Sequence, residues 1–181
     1  MQTAQEQAHW STRTLTKMAL CVALCCVMAY ISFPLPFTPG MVTALTLAMN
    51  LTAFILTPKQ TFVTILIWML LGSAGLPVFV GGTAGFGRLL GPTGGFILAF
   101  LIAYPAVSLL KGRGNSFRRY LAAACLIGIP ISYLGGLASM MLIMEVGLQE
   151  ALVMAVLPYI PGDILKAVCA AYLGTRLNRT L

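Results

Sequence analysis

The chain is polar up to Ser11, turns apolar near Leu15, and from there alternates long apolar runs with short breaks rich in proline, glycine or basic residues. The first run, 16–33, ends at the cluster Pro34, Pro36, Pro39 and Gly40, because repeated proline removes helical hydrogen-bond donors. The second, 41–56, stops at Thr57-Pro58-Lys59, and the third, 61–76, is closed by Pro77. A Gly-rich stretch from Gly81 to Gly95 leads into the fourth, 92–110, and the basic loop Lys111 to Arg119 separates it from the fifth, 120–144. The sixth, 151–173, carries Pro158, Pro161 and Gly162 in its first half. Since a span takes about 20 residues, the pattern predicts an all-α polytopic membrane protein. Six transmembrane helices form one compact bundle, residues 1–181 make a single integral membrane domain, and the outer loops are rich in Gly and Pro.

Composition supports the same class. The chain is 59% hydrophobic and 8% charged, far from the roughly 25% charged residues of a soluble domain. Its 18 Gly and 10 Pro accompany too much aliphatic content for a collagenous or disordered chain. The polar head lacks the basic start and cleavage site of a signal peptide. A net charge of +7 would suggest nucleic acid in a soluble protein, but the basic residues are scattered between apolar runs, so no nucleic-acid partner is expected. They instead report orientation. With the N-terminus inside, the inner segments hold Arg13, Lys17, Lys59, Lys111, Arg113, Arg118, Arg119, Arg176 and Arg179, and the outer loops hold only Arg88. Both termini are therefore expected in the cytoplasm. Arg88 and Lys166 are the two basic residues that orientation does not explain.

Lys166 falls inside the sixth run, three residues after Asp163, so on a helix the two share a face. Pro161-Gly162 should loosen or break the helix just before them. Ionisable groups at that depth cost about 2.5 to 3.5 kcal/mol each near a helix centre and by default mark a site, although a satisfied structural ion pair has the same spacing. Arg88 sits in the Gly-rich stretch, which can fold back over the bundle. That stretch is no nucleotide loop, because no Gly-Lys-Ser/Thr follows and its glycine spacing is one residue too long for the dinucleotide fingerprint. No enzyme chemistry is expected either, since no nucleophile, base or metal cluster accompanies Asp163 and Lys166. Cys21, Cys25, Cys26, Cys125 and Cys169 all lie in apolar runs and read as small buried hydrophobes. The sole histidine, His9, lies outside the spans and cannot complete a metal site with Cys21 and Cys25. Trp68, Phe79 and Tyr159 are candidates to line an apolar pocket. Ala19 and Ala23 give the first helix a small-residue stripe that admits close approach of another helix.

Three stretches together resemble the BioY family, the biotin-binding substrate (S) components of energy-coupling-factor (ECF) transporters. They are Phe33-Pro34-Leu35-Pro36-Phe37-Thr38-Pro39, then Gly75-Leu76-Pro77-Val78-Phe79 leading to Leu90-Gly91-Pro92-Thr93-Gly94-Gly95, and Pro158-Tyr159-Ile160-Pro161-Gly162-Asp163-Ile164-Leu165-Lys166. The resemblance implies a six-helix component in which Asp163 and Lys166 contact biotin, while Ala19 and Ala23 meet a transmembrane coupling (T) component. Arg88 lies in the matching loop. Two ATP-binding cassette ATPases would supply the energy, so ATP is used by partner subunits and the chain itself needs no cofactor. The implied location is the bacterial cytoplasmic membrane, in the lipid bilayer. Relatives favour Thr-Leu-Gln where this chain has Thr43-Ala44-Leu45, and Gly and Tyr where it has Ala84 and Phe96.

The residue chemistry suits that ligand. A carboxylate such as that of Asp163 accepts the ureido N–H groups of biotin, and Lys166 or Arg88 pairs its carboxylate. The expected function is capture of biotin outside and delivery to the cytoplasm. The rival reading is a proton-coupled secondary transporter of a small carboxylate, with Asp163 as relay.

Overall fold

The computed structural model describes residues 10–112 and 114–180; most of the polar head, His9 included, and Arg113 among the basic residues lie outside them. The elements run α1 (Thr12–Tyr30), β1 (Ser32–Pro34), β2 (Met41–Thr43), α2 (Leu45–Ile55), α3 (Pro58–Ser73), α4 (Gly94–Leu110), α5 (Phe117–Ala123), α6 (Ile129–Met144), α7 (Leu148–Ala155) and α8 (Ile160–Thr180). A π-turn over Ala124–Gly128 joins α5 to α6, giving one helix of 28 residues from Phe117 to Met144. Pro130 lies just beyond that turn, where its missing N–H would otherwise interrupt the helical ladder.

The helices fall on the six apolar runs, with instructive differences. Residues 32–43, which take in the end of the first run, the Pro/Gly break and the start of the second, form an antiparallel hairpin in which Phe33 pairs with Val42, so the chain is not purely helical. Pro34 fits there because a two-stranded ribbon has only edge strands. Pro58 starts α3 rather than ending α2. It stands at the first helical position, where its absent N–H is not missed, and the Gln60 side chain accepts the Thr57 N–H at 3.0 Å. Pro161 and Gly162 likewise lie in the first turn of α8, and the break precedes them, at the turn 156–159. α7 and α8 differ in direction by 44° across it.

The surface is apolar where a soluble protein would be polar. On the Phe117–Met144 helix Leu126, Leu134 and Leu142 point outward, up to 78% exposed, while Ser132, Gly136 and Met140 are buried. The interior is rich in alanine (Ala29, Ala48, Ala53, Ala103, Ala167, Ala170, Ala171), which lets helices approach closely without a hydrophobic drive toward water. α4 and α6 come closest at Gly95 and Gly135, where a Cβ on either glycine would strike the other's carbonyl. Such a surface belongs in a membrane. By length and composition Thr12–Tyr30 and Phe117–Met144 each cross one, and the bent pair α7 and α8 makes a third. Length alone thus assigns fewer spans than the six apolar runs. Cys21 and Cys25 are buried as expected, Cys26 and Cys125 are partly covered, and Cys169 departs from expectation by facing outward.

α2 is the short internal helix. At 11 residues it is about 16 Å long, half of the about 30 Å hydrocarbon layer. Its C-terminal carbonyls therefore end inside the protein and need donors there. Lys111 supplies them, its Nζ donating to the Ala53, Phe54 and Leu56 carbonyls at 2.6–2.8 Å. Ser108 Oγ donates to Leu56 O at 2.6 Å and Asn178 Nδ2 to Phe54 O at 2.9 Å. Lys111, read from sequence only as an orientation marker, is also the cap of α2. Replacing it (Lys111→Met) leaves buried carbonyls without their charged donor, a loss of about 2 kcal/mol or more. The expected outcome is a lower thermal midpoint of the purified protein in detergent, with no change for Lys59→Met on the exposed start of α3.

Candidate ligand-binding site

A cavity opens between α2, α4, α6 and α8 beneath the hairpin and the Gly-rich stretch. Its lid is built by glycines in the left-handed region. Gly81 (φ 73°) and Gly82 (φ 70°) bring the backbone against Met41 and Tyr30, where a Cβ would come within 3.0 and 2.9 Å of their side chains. Thr38, at the hairpin tip, donates to Met154 O at 2.8 Å and accepts from the Gly40 N–H at 3.1 Å, which ties the hairpin to α7. Gly40 leaves room for the Tyr159 hydroxyl, which a Cβ there would displace.

Asp163, 8% exposed, stands in the first turn of α8, where the helix dipole favours a negative charge. Lys166 Nζ donates to its Oδ1 at 2.7 Å and the Thr46 hydroxyl of α2 to the same oxygen at 3.2 Å. The Tyr133 hydroxyl of α6 donates to Oδ2 at 2.8 Å. An ionised carboxyl has about four acceptor positions, so one of them, on Oδ2, stays open. Arg88 also lines the cavity, and its Nε donates to Thr83 Oγ1 at 3.0 Å. Among the described residues its guanidinium has no carboxylate partner, whereas Lys166 has one.

The five ligand-site residues expected from sequence, Asp163, Lys166, Arg88, Tyr159 and Phe79, all line this one cavity. Trp68 does not. It is buried behind Phe79, with ring centroids 5.2 Å apart, and its indole N–H donates to Val78 O at 3.0 Å, which fixes the backbone next to Phe79. Ala19 and Ala23 lie far along the sequence from these groups and are exposed on α1 beside Leu20 and Val27. Sequence reasoning missed Thr46, Asn50, Ser132 and Tyr133, single polar residues inside apolar runs. Their signal was present: Thr46 and Asn50 are four apart and share a face of α2.

The model of the BioY family matches residues 1–181. The chain belongs to the BioY family. It is 38% identical to the probable biotin transporter BioY of Pyrococcus horikoshii, over 92% of this chain and 96% of that one. It is 34% identical to the probable biotin transporter BioY of Bacillus subtilis, over 91% of this chain and 89% of that one. Its fold matches the crystal structure of the S-component for biotin from an ECF-type ABC transporter with a TM-score of 0.86 and 23% identity, covering 99% of this chain and 95% of that one. Membership of the BioY family accords with the outward-facing leucines and gives the chain a membrane location. In this BioY chain the cavity combines an apolar wall, including Phe79, Ile97 and Phe100, with a few placed polar groups, the composition of a small-molecule site.

Proposed function

We propose that this chain is the biotin-binding S component of an ECF-type vitamin transporter, a transport subunit rather than an enzyme. It takes up biotin from outside the cell and releases it inside with ATP hydrolysed by partner subunits. The observation that carries the reading is the cavity itself: a buried carboxylate held by three helices, one cation without a carboxylate partner among the described residues, and apolar walls between them. Biotin has complementary parts, a carboxylate, an apolar valeryl and thiophane body, and a ureido ring.

The hydrogen bonds support a division of roles that spacing alone left open. Lys166 is held by Asp163, so Arg88 is the group that pairs the biotin carboxylate, and guanidinium suits it by offering two parallel donors. Asp163 keeps one open acceptor position, enough for one ureido N–H. Tyr159 and Phe79 pack against the apolar body. The six helical blocks, the bent pair counted once, lie in the cytoplasmic membrane, with α2 reaching only part-way through it, and both termini lie inside with the basic residues. Partners are a transmembrane coupling component and two ATP-binding cassette ATPases, and the exposed Ala19 and Ala23 on α1 are where the coupling component packs. That assignment rests on the resemblance and on the accessible small-residue face.

Titration of the purified chain with biotin tests the reading. Tight, saturable binding is expected, weakened at least tenfold, about 1.4 kcal/mol, in Asp163→Asn; binding no tighter than millimolar would overturn it. Arg88→Gln should reduce affinity for biotin but not for biotinamide, which has no charge to pair, so equal losses for both ligands would remove Arg88 from the carboxylate. Ala19→Trp with Ala23→Trp should leave biotin binding unchanged and abolish co-purification with the coupling component. Retained co-purification would place that interface elsewhere.

A further inference from the structure

Among the described residues, two polar side-chain atoms of the cavity wall lack a partner at full hydrogen-bond geometry: Asn50 Oδ1 on α2, and Ser132 Oγ on α6, which has only the Tyr104 hydroxyl beside it. Both residues are more than nine-tenths buried, at 4% and 5% exposure. A third such atom, Thr64 Oγ1 on α3, does not line the cavity. An unpaired buried polar atom is costly, and the cost is larger in a membrane interior where no bulk water competes. Orphans that face a cavity are therefore positions where a ligand completes the bonding.

The Asn50 amide is oriented. Its Nδ2 donates to the Thr46 carbonyl at 2.9 Å, which fixes the amide plane and leaves Oδ1 as an acceptor. Facing it is Gly128, the last residue of the π-turn. A Cβ there would lie 3.8 Å from Asn50 Oδ1 and 3.0 Å from Val107, so the glycine spares this side of the oxygen a crowded side chain. Ser132 follows Gly128 by one helical turn and offers a rotatable hydroxyl that can donate. Thr46, which binds Asp163, precedes Asn50 by one turn of α2, so the orphan pair forms a second polar tier about 6 Å deeper than the carboxylate.

We infer that Asn50 and Ser132 form a recognition site for the second edge of a cyclic urea. The ring of such a group holds its N–H and C=O side by side on one edge, as a lactam does. Asn50 Oδ1 accepts the N–H and the Ser132 hydroxyl donates to the carbonyl. Asp163, with a single open position, takes only the N–H on the other edge. The inference rests on the biotin-binding reading and adds the residues that distinguish a ureido ring from an apolar ring on the same carboxylate chain.

The test uses the full-length chain in detergent and biotin methylated on one or the other ureido nitrogen. Asn50→Leu should bind biotin at least tenfold more weakly than the unmodified chain. One of the two methylated ligands should bind the unmodified chain weakly and lose little further affinity in Asn50→Leu, because the lost bond is the same. Ser132→Ala removes a single oxygen without adding bulk and should weaken biotin at least fivefold with an unchanged thermal midpoint. It provides the reading if Asn50→Leu does not fold. Biotin affinity retained in both variants, or in Ser132→Ala alone where Asn50→Leu is unfolded, overturns the inference and leaves the biotin reading standing. So does a methylation penalty that is equal in the unmodified chain and in Asn50→Leu for both ligands. Absence of biotin binding by the unmodified chain overturns both.

Discussion

Asp163 carries a charge among apolar helices, where an isolated ion is far too costly to keep, and the bundle is arranged around its neutralisation. Lys166 reaches it from one turn along α8, Thr46 from α2 and Tyr133 from α6. Three helices distant in sequence are thereby fixed at one level, and the cavity is the space left above and beside the carboxylate. The break at 156–159 is part of the same arrangement. It makes Asp163 a first-turn residue, so that backbone N–H dipoles point toward the charge, which a straight helix through that level would not provide.

The opposite end of α2 poses the complementary problem. A helix of 11 residues among neighbours of 16 to 21 ends in protein rather than at the water interface, and its carbonyls carry the negative end of the dipole. Lys111, Ser108 and Asn178 converge on them from α4 and α8. α2 is therefore held at both ends by charge, by Asp163 through Thr46 and by Lys111 at the carbonyls. Asn50 lies midway between these two anchors.

Much of this was legible in the chain because a membrane interior makes polarity scarce. Asp163, Lys166 and Arg88 stood out since neither solubility nor orientation needs them, and they converge on one cavity with Phe79 and Tyr159. The helix-length runs were legible for the same reason. The prolines were harder to place. A proline next to a break reads as a stop, yet Pro58 and Pro161 begin helices, and only the turn geometry on either side distinguishes the two. The hairpin at 32–43 was hidden because three-residue strands leave no periodicity. Thr46, Asn50, Ser132 and Tyr133 were hidden because an uncharged polar residue in a helix can bond its own backbone, as Thr52 does with Ala48 O at 2.9 Å. The four-residue spacing of Thr46 and Asn50 was the one sequence signal among them, and only the bonds seen in the structure separate it from that ordinary case.

Charge balance then separates the two transport readings. Without ligand the cavity holds Asp163 and Lys166, which cancel, and Arg88, which does not. A monoanionic carboxylate brings the sum to zero, the state favoured in a medium of low dielectric. A dianion would leave an excess charge, and a neutral ligand would leave Arg88 unpaired. A proton relay at Asp163 would have to protonate the carboxylate in part of its cycle, leaving Lys166 buried without its counter-ion, 15% exposed and with no other acceptor for its charge among the described residues. Breaking one partner from a buried pair costs about 3 to 5 kcal/mol. A transporter driven by ATP hydrolysis on separate subunits has no need of that step, so the carboxylate can stay paired throughout and serve only as a fixed acceptor.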